Sequence, residues 1–255
     1  MKSDRFPVKS GKKMLDIVEA LRQFDEATVS RLAEDLQISK STAYNHLTTL
    51  RSSGYVLKEG SKYKLSFKFL ELGDYTRRRN DVFDIARPEI EKLADETGEV
   101  ANLMFEEGGQ GVHVYRSRNE VDIRLPNKPG MRVPLHSTSL GKSILAFLPE
   151  ERVRDIVDEH GLPPKTEHTI TDEEELLDEL KTIREQEFAL DREENMVGLR
   201  CVGVPIKKRG AVVASISVSA PTQRMHDERF REEVPELLLS KANVIELNLR
   251  NPSDI

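Results

Sequence analysis

The chain has 255 residues, a third of them charged, 5% aromatic and none tryptophan, with a formal net charge of −6. That length accommodates two domains, each with a core of its own. A single cysteine, Cys201, excludes an intrachain disulfide framework. No apolar stretch follows the charged start and no run approaches about 18 apolar residues, so a soluble, cytoplasmic chain that neither enters a membrane nor is exported is expected.

The charge is unevenly divided. Residues 1–80 hold 16 Lys/Arg against 10 Asp/Glu, which leaves 23 against 35 for the remainder. A cationic N-terminal part attached to an anionic remainder suggests that one part attracts phosphate and the other does not.

Met14, Val18 and Leu21 mark a first helix that ends near Phe24. The run TVSRLAEDLQISKSTAYNHLTTLRSSGYVLKEGSKYKL, Thr28 to Leu65, then reads as helix, tight turn, second helix and basic hairpin. Val29, Leu32, Ala33 and Leu36 form one face of the first of these helices. A turn falls at Gln37-Ile38, and Ser39 suits the N-cap of the next helix. There Ala43, Leu47 and Leu50 face inward, while Ser41, Tyr44, Asn45 and Thr48 share the opposite face and Lys40 lies in the first turn. Gly54 ends the helix, and Tyr55–Lys58 and Lys62–Leu65 flank a Glu59-Gly60-Ser61 turn. This is the order of a winged helix-turn-helix, whose second helix enters the DNA major groove. The expected reading surface is Ser39, Lys40, Ser41, Thr42, Tyr44, Asn45 and Thr48, with Lys58, Lys62 and Lys64 of the wing on phosphate. The winged helix should occupy residues 1–65, followed by a linker helix over 66–80 that carries Phe67, Leu70 and Tyr75 and reaches the triplet Arg77-Arg78-Arg79.

From 81 to 255 a second, α+β domain is expected. Ile85, Ile90, Leu93 and Ala94 are in helical phase, with a kink or restart at Pro88. Strands follow at ANLMFE and GVHVYRSR, with a third at Val121–Leu125. Helices are expected over Ser139–Phe147, Glu150–His160 and Asp172–Glu187, the last capped by Thr171. Strands at Val202–Lys207 and Val212–Val218 and a helix from Asp227 to Leu249 complete an antiparallel sheet covered by helices.

Ser137-Thr138-Ser139 before an apolar helix offers unpaired amides and a positive dipole end that suit an anion, or is plain helix capping. Ser217 and Ser219 share one face of their strand, and Ile216 and Val218 take the other. The six histidines have no metal-ligand spacing, and neither a metal nor another cofactor is expected.

The spaced blocks HxTxxGKxxLAxLP, LDxEExxxGxRCVxxP and SVSxP, behind a winged helix, make the chain resemble the IclR family of transcriptional regulators from about Lys9 to Leu249. The resemblance implies a GAF-like effector domain and a homodimer, often two dimers (a tetramer) on one double-stranded DNA operator, acting as repressor or activator. It implies that the amides of Ser139 and Leu140 hold the carboxylate of a small-molecule effector, with Asp191, Cys201, Ser217 and Ser219 around it. The chain departs from the family pattern at Arg192 and Ala220. An ionised Asp191 would accept from an effector hydroxyl and repel a second carboxylate, which favours hydroxy- or keto-monoacids and sugar-derived acids over unpaired diacids. Two other readings differ in class: a GAF-like enzyme using Cys201 and Asp191, with His136 as base, and a DNA-binding protein without ligand.

Overall fold

A computed structural model describes residues 6–79, 81–117 and 128–250. It divides into two compact units, one through Arg79 and one from residue 80.

The first unit contains α1 (Lys9–Phe24), β1 (Ala27–Thr28), α2 (Val29–Asp35), α3 (Lys40–Ser52), β2 (Val56–Glu59), β3 (Lys62–Leu65) and α4 (Lys68–Arg78). Its core collects Ile17, Leu21, Leu32, Leu47, Leu50, Val56 and Tyr63, and all three inward positions expected on α3, Ala43, Leu47 and Leu50, are buried. The helix ends follow their local chemistry. The Thr28 and Ser39 hydroxyls accept the amides of Arg31 and Thr42, so both helices of the motif begin on a side-chain cap. Between them Gln37 takes φ 52° and Ile38 N–H donates to the Ala33 carbonyl at 3.0 Å. At the far end Gly54 has φ 79°, and the amides of Gly54 and Tyr55 donate to Arg51 and Leu50. That is a Schellman ending, which needs the left-handed residue.

The wing is tighter than the residue types suggested. Glu59 pairs with Lys62 inside the ladder, leaving Gly60 and Ser61 as the turn. Tyr55 lies outside the strand because its amide closes the helix end. A short β1, not legible in the sequence, pairs with β3 and gives the order β1-β3-β2.

The second unit contains α5 (Asp81–Thr97), β4 (Val100–Glu107), β5 (Gln110–Arg116), β6 (Arg132–Pro134), α6 (Ser139–Leu145), α7 (Glu150–His160), α8 (Glu173–Gln186), β7 (Ala189–Arg192), β8 (Leu199–Lys208), β9 (Ala211–Pro221), a π-helical turn (Arg229–Glu233) and α9 (Val234–Arg250). The sheet is antiparallel, in the order β6-β5-β4-β9-β8-β7. Strand alternation gives it two apolar faces. Leu103, Val202, Val204, Ile216 and Val218 pack with Ile90 and Leu93 of α5 and with Leu238 and Ile245 of α9. On the other face Met104 and Ala189 meet Leu140 and Ile144 of α6 and Leu176, Leu180 and Ile183 of α8.

Several expectations change. Pro88 lies within one helix, α5, and causes no restart; its ring is on the exposed side, while Val82, Phe83, Ile85, Ala86 and Ile90 are buried. The cap of α8 is Asp172, whose carboxylate accepts the Glu175 amide at 3.0 Å, and not Thr171. α6 ends at Leu145, two residues early, and the final helix starts only after the π-helical turn. Val121–Leu125 falls outside the described residues, and β6 pairs with β5 on the side away from β4. β7 has no counterpart among the expected strands. No helix among the described residues is long and apolar enough to cross a membrane.

Candidate ligand pocket and nucleic-acid interface

On α3 the residues Ser41, Tyr44, Asn45 and Thr48 are all exposed, as is Lys40, and Tyr44 keeps 52% of its surface open. A large aromatic left exposed on the second helix of this motif has no packing role there. Ser39 and Thr42 are partly engaged in the cap, where their hydroxyls lie 2.8 Å apart. The wing lysines are unequal. Lys62 pairs with Glu26 and Lys64 with Glu59, whose hydrogen bond raises the Lys64 pKa, whereas Lys58 lies over the Tyr63 ring. Two of the three would therefore have to exchange a carboxylate for a phosphate.

In the second unit one cavity brings together all six of the expected pocket residues, Ser139, Leu140, Asp191, Cys201, Ser217 and Ser219. They arrive from four places: the start of α6, the end of β7, β8 and β9. Two glycines allow the approach. A Cβ at Gly203 would lie 2.7 Å from the Ser139 carbonyl carbon, and one at Gly141 would lie 2.1 Å from the Leu135 carbonyl oxygen. Only glycine therefore lets the start of α6 rest on β8 and fold against its own entry loop. Thr138 caps α6 by accepting the Gly141 amide at 2.9 Å, and the helical ladder begins with Lys142 N–H to the Thr138 carbonyl. The amides of Ser139 and Leu140 have no acceptor within the helix.

Beneath the cavity lies a buried ion pair that the residue pattern did not disclose. Lys142, with no exposed surface, donates to both carboxylate oxygens of Glu194 at 2.6 and 2.8 Å and to Glu179 at 3.2 Å. Glu194 is 3% exposed. Its own amide donates to Asp191 Oδ1 at 2.8 Å, with Asn195 N–H at 3.4 Å. The lysine of the GK block thus anchors the second glutamate of the LDxEE block, and that turn in turn fixes the Asp191 carboxyl.

Burial, reinforced by the Glu194 charge, pushes the Asp191 pKa up to about 7. Asp191 is accordingly divided between acid and carboxylate near neutrality, rather than being an acceptor only. Burial and the neighbouring Asp191 also raise the Cys201 thiol. It is held as a thiol, the reverse of what a nucleophile needs. His136, the base that the enzyme reading requires, lines a different cavity of about 110 Å³ with Leu135, Leu145, Ile156 and Leu176, and its Nε2 is 3.2 Å from the Pro163 carbonyl. Among the described residues no cluster of His, Cys, Asp and Glu could hold a metal.

The cavity has further walls: Asn102, His113, Thr138, Asn195 and Leu199. Asn102 Nδ2 donates to the hydroxyls of both Ser217 and Ser219, at 3.3 Å each. The run ANLMFE could have pointed to Asn102, the only polar residue of its strand between Val100 and Phe105. For His113 the sequence carried no comparable signal.

Residues 75–247 match the family model for the bacterial transcriptional regulator IclR C-terminal domain, and residues 11–58 match that of the bacterial regulatory protein arsR family. The chain belongs to the IclR family. It is a DNA-binding transcriptional regulator with a C-terminal effector-binding domain. The probable HTH-type transcriptional regulator ArcR of Halobacterium salinarum is 34% identical over 240 residues, covering 92% of this chain and 91% of ArcR. The crystal structure of the Thermotoga maritima IclR superposes with a TM-score of 0.80 at 35% identity, over 94% of this chain and 97% of that one. The inducer-binding domain of the PobR transcription factor from Acinetobacter, solved as a 3-hydroxybenzoic acid complex of a double mutant, has a TM-score of 0.60 at 27% identity, over 64% of this chain and 96% of the domain. IclR-family membership also accounts for the two-unit division, with a helix-turn-helix model and an effector-domain model matching successive parts of the chain.

Proposed function

We propose that this cytoplasmic regulator binds a small hydroxy- or keto-monocarboxylate in the Ser139–Asp191–Cys201 cavity and, as a homodimer, reads a pseudo-palindromic operator with α3. Two dimers can share one operator as a tetramer. The single observation that carries the reading is the convergence of six residues from four separate chain segments on one cavity. The carboxylate accepts from the Ser139 and Leu140 amides, where the helix dipole favours an anion. Ser217, Ser219, Cys201 and the Asp191 carboxyl serve the remaining polar atoms. The 3-hydroxybenzoic acid complex of the PobR domain supports a hydroxylated carboxylate as the class of ligand. The cavity is about 20 Å³, room for about one water, so effector entry must widen it, and that widening is the differential contact through which binding shifts the protein between states.

Replacement of Asp191 or Ser217 by alanine should abolish the response of operator binding to effector while leaving effector-free DNA binding near normal. Isothermal titration with hydroxy- and keto-monoacids, beside a mobility shift on the gene's own upstream region, tests this. Unchanged acid affinity in both variants would place the ligand elsewhere.

On the DNA side, Lys58→Ala and Lys62→Ala should weaken binding to all sequences and flatten the salt slope by about 0.9 for each phosphate no longer neutralised. The larger effect is expected at Lys58, whose ammonium faces a ring rather than a carboxylate. Tyr44→Ala and Asn45→Ala should instead erode discrimination between sites, each by roughly 1–3 kcal/mol. Footprints should show two half-sites, spaced by about one helical turn or a multiple of it. A salt slope that neither lysine variant changes removes the wing from the DNA-binding surface.

A further inference from the structure

His113, on β5, is 3% exposed and lines the same cavity as Ser217 and Ser219, yet neither of its ring nitrogens meets a hydrogen-bond partner among the described residues. Among the described lining residues it is the only one in that condition. A buried donor or acceptor left unmatched is costly, and folds that retain one commonly use it. The backbone itself aims this ring. The β4–β5 register shifts so that Leu103 opposes Tyr115 while Met104 opposes His113, leaving Val114 as the extra residue of a β-bulge. Val114 and Tyr115 consequently both pack on the α5/α9 face, and His113 stays on the face of Asn102 and Met104. Asn102 commits its amide to the hydroxyls of Ser217 and Ser219, which orients them and leaves the imidazole as the polar group still to be matched.

We propose that His113 reads a hydroxyl of the effector on a carbon away from its carboxylate through one ring nitrogen, which donates to the hydroxyl oxygen or accepts from its O–H according to the tautomer. The inference rests on the pocket reading given above and extends it to the part of the ligand distal from α6. Burial and the Arg116 charge push the imidazole down to about 4, so the ring is neutral at physiological pH and offers one donor and one acceptor in either tautomer. A second carboxylate would find no cation in this ring, whereas a hydroxyl, both donor and acceptor, suits the ring nitrogen it meets in either tautomer.

The test uses the full chain and pairs of acids that differ only in the distal hydroxyl: propionate with 3-hydroxypropionate, lactate with glycerate, and butyrate with 4-hydroxybutyrate. In at least one pair, titration calorimetry should show the wild type binding the hydroxylated acid at least tenfold more tightly. His113→Leu should erase that preference, and His113→Gln, which keeps a donor and an acceptor, should recover part of it. Without acid, His113→Leu should melt about 2–4 °C higher, because an unmatched polar group has been removed from the interior. Retained preference in His113→Leu, or a wild type that binds these acids without preference, overturns the assignment of His113 alone. A lower melting point for His113→Leu together with full binding by His113→Ala would make the ring structural and also overturn it. If none of the acids binds the wild type, the pocket reading falls and this inference falls with it.

Discussion

Lys142→Met should destabilise the second unit by about 3–5 kcal/mol, among the largest effects of any single substitution in the chain. The reason is the group left behind. Glu194 is almost wholly buried, and its two oxygens face the Lys142 ammonium at 2.6 and 2.8 Å. Without the lysine, a carboxylate is left in a low-dielectric interior, where the Arg192 amide at 3.3 Å is a weak substitute for the ammonium. Glu194→Gln should be milder, because Glu179 still faces the ammonium at 3.2 Å. The double variant Lys142→Met/Glu194→Gln should recover most of the loss, since no buried charge is then unpaired. Urea unfolding of the three variants measures this, and additive losses would mean that the two residues are not coupled. The pair also holds the turn that presents Asp191, so effector affinity should fall in all three variants, including the one whose stability recovers.

Asp191→Asn should change the pH dependence of stability with a definite sign. The folded chain keeps the Asp191 proton up to about 7, whereas an unfolded chain releases it near 3.8. The native state therefore binds the extra proton between those values, and the contribution of Asp191 to stability falls as pH rises through that window. The cost is complete above pH 7, with an upper bound of about 4 kcal/mol. Asparagine can still accept the Glu194 and Asn195 amides without that cost, so the variant should gain on the wild type from pH 4 to pH 8. His113 acts in the opposite sense. Its folded pKa of about 4 lies below the ordinary 6.5, so its contribution to stability rises with pH across that interval. The two slopes oppose each other in the wild type below pH 6.5, which predicts a flat profile there and a decline confined to the neutral region. Thermal unfolding of wild type, Asp191→Asn and His113→Leu at half-unit steps of pH would separate the two. A constant difference between Asp191→Asn and wild type at every pH would show that Asp191 does not titrate in this range.

The elements of the first unit are legible because each is specified by neighbours in sequence. Thr28, Ser39 and Gly54 act within four residues of themselves, through a cap or a left-handed turn, and the apolar faces of α2 and α3 repeat at the helical period. The cap of α8 falls one residue from its expected place because Thr171 and Asp172 have nearly equal capping chemistry, and only the backbone geometry selects between them. β1 and β7 escape a sequence reading for a different reason. A strand of two residues, or one of four without a tight turn such as Gly60-Ser61 to mark a hairpin, carries too little alternation to be seen, and exists because β3 or β8 offers it a ladder.

The same division holds for the site. The sequence by itself determined the winged helix, the serine pair on one strand face, the capping run before α6 and, through three spaced blocks, the family and a set of six residues that prove to line one cavity. It could do so because short-range rules and recurring spacing are written along the chain. Tertiary structure alone decided that Lys142 meets Glu194 across 52 positions, that Asp191 is buried enough to hold its proton near neutrality, and that a bulge turns His113 into the cavity. Desolvation and unmatched hydrogen bonds depend on what surrounds a group in space, and no local pattern in the chain records that.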